Sequence, residues 1–139
     1  MFNMFKSQTS FDLTPRNCLA VSLIYCMSAD GEIDPEEVGH LMSVLGRNAT
    51  RQQLESAVRY ARATQPAQFL ADTAPRLRPD QKLCIILNMI DSAMADGEAE
   101  PGEQQLIMQF AQAFGLSENE LNPYFRALVA KNDRAVLDR

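Results

Sequence analysis

Two short stretches of this chain carry carboxylates at spacings that could do chemistry. Asp30, Glu32, Asp34, Glu36 and Glu37 crowd the first, and Asp96, Glu98, Glu100 and Glu103 the second. Hard cations such as calcium or magnesium take oxygen ligands, so these stretches are where a divalent cation would be held. The first imitates the second half of an EF-hand loop. With Asp30 at loop position 5, Gly31 falls at 6, Ile33 at 8 and Glu37 at 12. The first half fails, because positions 1 and 3 fall on Cys26 and Ser28, and in the second stretch on Ser92 and Met94. Neither stretch is an EF-hand, and a cation here needs another geometry. A second reading needs no metal at all. Acidic side chains at a helix start satisfy orphan amides and interact well with the helix dipole.

Few other residues suggest chemistry. His40 is the sole histidine and points away from the apolar face of its helix, near Glu36. It has no serine or cysteine partner that sequence can place beside it, so a catalytic triad is not supported and an enzyme is not expected. Asn88 and Asp91 interrupt an apolar run, and Asp91 is positioned to approach the second acidic stretch. Arg59 and Arg62 give a small basic face, with Arg47, Arg51, Arg76 and Arg78 as further contributors and surface solubility as its expected role. Cys18, Cys26 and Cys84 stand in apolar runs without a CxxC pair, which reads as reduced core thiols in a cytoplasmic protein. The formal net charge of −5, from 13 Lys and Arg against 18 Asp and Glu, argues against direct nucleic-acid binding. No segment approaches the roughly 20 apolar residues of a membrane helix, and the start does not read as a signal peptide.

Helices must position these groups. Hydrophobic residues make up 46% and charged residues 22%, a globular balance, and strand patterns are nearly absent. Thr14-Pro15 opens a helix whose apolar side chains cover most of its circumference, and Asp30-Gly31 ends it. Asp34-Pro35-Glu36-Glu37 is a compact capping box, and Thr50 to Gln53 and Ser117 to Glu120 are two more. Gly46 and Gly115 terminate helices. Gln65-Pro66 starts a short helix with Phe69 and Leu70, and Pro79 opens the run that ends at Asp96-Gly97. Pro123 is expected to separate a first turn from the final helix. A shift of 66 residues lays Cys18 on Cys84, Ala29-Asp30-Gly31-Glu32 on Ala95-Asp96-Gly97-Glu98, Pro35 on Pro101 and Glu37 on Glu103. The expected architecture is one all-α globular domain of about seven helices, with an internal pseudo-twofold duplication of a helix–acidic turn–helix unit. Residues 1–13 form a lead-in, 14–131 the domain and 132–139 a tail. The helices near 15–29 and 79–95 should be central.

Ala29-Asp30-Gly31-Glu32-Ile33-Asp34-Pro35-Glu36-Glu37 resembles the signature turn of the TerB-like tellurite-resistance family. Ala95-Asp96-Gly97-Glu98 through Glu103, followed by Phe114-Gly115-Leu116-Ser117, resembles it too. The resemblance covers most of Pro15 to Val129. It implies a small, all-helical, cytoplasmic, non-catalytic protein of tellurite resistance or stress response. It also implies divalent-cation binding by acidic residues, which carries that role onto Asp30, Asp34 and Glu37 and onto Asp96, Glu100 and Glu103. The second unit departs from the pattern, with Ala99, Glu100 and Gly102 where the first has Ile33, Asp34 and Glu36. A protein partner, membrane-associated as for some relatives, is the implied context. The alternative is a metal-independent protein-interaction scaffold.

Overall fold

Each helix of this protein starts where a side chain or a proline can tolerate the missing partners of the first amides. The computed structural model describes residues 11–28, 33–94 and 101–139. Among them are seven α-helices and no strand: α1 Pro15–Ser28, α2 Pro35–Leu45, α3 Arg51–Ala63, α4 Pro66–Thr73, α5 Pro79–Met94, α6 Pro101–Ala113 and α7 Glu118–Asn132. Prolines open five of them, where a missing N–H costs nothing. Thr14 caps α1, its Oγ1 accepting from the Asn17 amide at 3.1 Å. The boxes at Asp34, Thr50 and Ser117 are all formed, each with its Glu or Gln reaching back to the cap amide. Gln81 does the same for α5, accepting from the Arg78 amide at 2.9 Å. Gly46 and Gly115 both lie at positive φ, 100° and 72°, closing α2 and α6 in a region that side-chain-bearing residues avoid.

The interior is organised around α1. All ten residues from Cys18 to Met27 are buried, so this helix is enclosed on every side. It packs against α5, α3, α2 and α6, and α5 in turn takes α6 and α7. The Cys26 thiol donates to the Met89 carbonyl across the α1–α5 contact at 3.7 Å. Buried Ser22 is satisfied within its own helix, its hydroxyl donating to the Cys18 carbonyl at 2.7 Å. A column of rings crosses the molecule. Phe11 lies on Tyr60 (5.3 Å between centroids), Tyr60 meets Phe69 (6.2 Å), and Phe69 meets both Tyr25 (5.7 Å) and Phe110 (6.0 Å). Phe69, on the short α4, is the hub and is wholly enclosed.

Two expectations need correction. Cys84 is exposed, not a core thiol. On α5 the buried stripe is Ile85, Ile86, Met89, Ile90 and Ala93, which leaves Cys84 and Asn88 on the outer side. There Asn88 Nδ2 donates to the Cys84 carbonyl at 2.8 Å. Pro123 does not divide the last helix, because α7 is continuous through it. The proline removes one backbone donor near an end whose start is fixed by the Ser117 box, and the surrounding residues are exposed to water. Beyond α7, Arg134–Asp138 forms a 3-10 turn with no buried residue.

The two halves pack unequally. α3 buries Leu54 and Ala57 against the body, whereas α7 buries no residue. Tyr124, Phe125 and Val129 of α7 and Val136 and Leu137 beyond it remain substantially exposed.

Candidate functional site

At the start of α2 the acidic turn is built from the capping box outward. Asp34 is the cap, and its Oδ1 accepts from the Glu37 amide at 2.8 Å. Glu37 Oε1 accepts in return from the Asp34 amide at 3.0 Å. These bonds use one oxygen of each carboxylate. Asp34 and Glu36 are exposed and Glu37 is half-buried.

The turn forms one wall of an open cleft. Asp34, Glu36, Glu37 and His40 face Asp91 and Ser92 from the end of α5 and Lys131 and Asn132 from the end of α7, with Met27 beside them. His40 therefore stands over carboxylates as well as solvent. Asp91 sits beside the first acidic turn, while residues 95–100, which carry most of the second, lie outside the described residues. It is held tightly: Asn132 Nδ2 donates to Oδ1 at 2.8 Å and Lys131 Nζ donates to Oδ2 at 3.1 Å. The Asn132 amide, the Lys131 ammonium and the nearby His40 hold the Asp91 carboxyl below the usual carboxylate range, against a smaller opposing effect of burial.

Of the six carboxylates expected to hold a cation, Asp34 and Glu37 are brought together by the capping box. Glu103 is half-buried in the first turn of α6. Asp30, Asp96 and Glu100 lie outside the described residues. Among the described residues no three His, Cys, Asp or Glu side chains converge closely enough to hold a metal ion unaided. Sequence reasoning missed Lys131 and Asn132 as partners of Asp91, for they lie 40 and 41 residues away and carry no local pattern.

The basic face divides. Arg76 and Arg78 are engaged elsewhere, the first donating to the Asp72 carbonyl at 3.0 Å and the second pairing with Asp80 at 3.1 Å. Arg51, Arg59 and Arg62 instead share a groove between α2 and α3. Cys18 is no reactive centre: burial pushes its thiol up to about 11, with Arg76 opposing weakly.

No described helix is long and apolar enough to cross a membrane. Neither a curated protein nor a solved structure matches the chain. A family model does: the one described as tellurite resistance protein TerB matches residues 16–124, across both acidic turns and five of the seven helices in full. The chain belongs to the TerB family.

Proposed function

We propose that this protein is a non-catalytic member of the tellurite-resistance and stress-response group that takes up a divalent cation at the first acidic turn and answers to it by engaging a protein partner. The observation that supports this reading is the convergence of Asp34, Glu36 and Glu37 with Asp91 on one cleft. The donors suit calcium or magnesium, both of which prefer carboxylate oxygen, while His40 on the rim would add a nitrogen for manganese or zinc. The described side chains do not complete a site, so Asp30, four residues ahead of Asp34, has to supply a ligand. In this reading Asp30, Asp34 and Glu37 hold the ion. Asp96, Glu100 and Glu103 form a weaker second set, because that turn has Gly102 where the first has Glu36. A cation drawing on Asp91 would compete with Lys131 and loosen the end of α7, which links the ion to a surface a partner can touch.

The competing reading is a scaffold that binds a protein, cytoplasmic or membrane-associated, without metal. It is favoured by the capping box, which already engages Asp34 and Glu37. Calorimetric titration of chelator-treated protein with calcium, magnesium, manganese and zinc separates the two. The cation reading expects saturable heat that disappears in the Asp30→Asn, Glu37→Gln double variant while the helical signal is kept, since glutamine can still accept the cap bond. The Asp96→Asn, Glu103→Gln pair should matter less. Absence of saturable heat for all four ions up to about 1 mM would leave the scaffold, because weak extracellular-type calcium sites still bind in that range.

A further inference from the structure

The groove between α2 and α3 joins an apolar floor to a row of arginines. Val38 and Leu41 of α2 and Leu54 and Val58 of α3 line its bottom, with Ile33 at one end. Leu41 is fully enclosed and Leu54 nearly so, while Val38 and Val58 are half-buried and offer their sides to the groove. Arg51, Arg59 and Arg62 stand along it at helical spacing, on one edge of α3. All three are exposed, and none forms an ion pair with a described residue. Glu55, between the first two, is the single acid among the described lining residues. In a chain of net charge −5 this concentration of unpaired guanidinium over an apolar trough is out of keeping with the rest of the composition.

We infer that this groove docks an acidic amphipathic helix of a partner protein. Apolar side chains of that helix enter the trough, and its flanking carboxylates meet Arg51 at one end and Arg59 and Arg62 at the other. A groove between two helices accepts a third laid along it, and arginine forks pair with carboxylates in the two-pronged manner that lysine cannot match. The stretch from Arg51 to Arg62 is about 16 Å at 1.5 Å per residue, the length of about three helical turns. Glu55 repels an acid at the middle of the groove, which sets the register: carboxylates at the ends and apolar residues between. A bilayer is disfavoured as occupant, since the apolar surface lies at the bottom of a concave trough and carries a carboxylate. The inference is independent of the cation reading, as the groove uses none of the proposed cation ligands.

The test is fluorescence anisotropy of a fluorescein-labelled peptide of about four helical turns, with leucines at i, i+3 and i+7 and glutamates flanking them. Titration with the full chain in chelator should give saturable binding that weakens steeply with added salt. The triple variant Arg51→Gln, Arg59→Gln, Arg62→Gln should bind at least about tenfold more weakly with its helical signal unchanged, as should a scrambled peptide of the same composition on the native chain. The Val58→Gln variant should weaken binding as well, by a route that leaves the salt dependence intact. Binding that survives the triple variant, or that the scrambled peptide reproduces, would overturn the proposal. So would absence of peptide binding up to about 1 mM, or binding to phosphatidylglycerol vesicles in place of the peptide.

Discussion

Asp91 shows what a single residue can and cannot reveal in sequence. A carboxylate on a helix otherwise rich in apolar side chains announces that it must be satisfied, but not by whom. Its partners, Lys131 and Asn132, come from the far end of the chain, and only the packing of α7 on α5 brings them within reach. The capping carboxylates behave oppositely. Asp34 and Glu37 are three residues apart, so their mutual bonds are dictated locally and were legible at once. The Asp91 contact also has a pH signature. Because the folded protein keeps Asp91 ionised to lower pH than an unfolded chain, where aspartate titrates near about 3.9, its contribution is complete above about pH 5 and lost on acidification through the lowered value. Asp91→Asn should therefore cost roughly 1 kcal/mol at pH 7, discounted for the exposure of Lys131. In urea titrations the gap between variant and native protein should narrow as the pH falls through the lowered Asp91 value. A gap independent of pH would mean that shape, and not charge, is what Asp91 supplies.

At the scale of helices, the starts were legible because caps, prolines and glycines act through bonds three or four residues long. The faces were less so. Cys84 sits in an apolar run, yet that run winds around α5, and only the neighbours of the helix decide which stripe is covered. On α7 the structure leaves Tyr124, Phe125 and Val129 substantially exposed and only half-buries Leu128. A helix that buries no residue and holds a proline should open without the rest of the molecule. Amide exchange is the measure: protection in α7 should be at least about tenfold lower than in α1. Equal protection would show that α7 is covered by something, and a second copy of the chain or a bound partner would then be sought on that helix.

The whole molecule was legible as an all-helical domain with α1 at its centre, because a run apolar on most of its circumference has nowhere else to go. What sequence could not supply is how the halves meet. The short α4 reads as a connector, but its Phe69 touches Tyr25 and Tyr60 on one side and Phe110 on the other. Phe69→Ala should cost about 3–5 kcal/mol, a large part of the stability of a domain this size, as a lowered urea midpoint with unchanged slope. A cost below about 1 kcal/mol would mean that the ring cluster repacks around the gap.

The same column has an optical consequence. The chain contains no tryptophan and three tyrosines, two of which, Tyr25 and Tyr60, stand in the ring column, while Tyr124 is exposed on α7. Near-ultraviolet dichroism arises from aromatic rings held in fixed asymmetric surroundings, so here it comes chiefly from the ring column. Far-ultraviolet dichroism counts helix wherever it lies. The two signals therefore report different events, and a condition that erases the first while sparing the second has loosened the ring column without melting the helices.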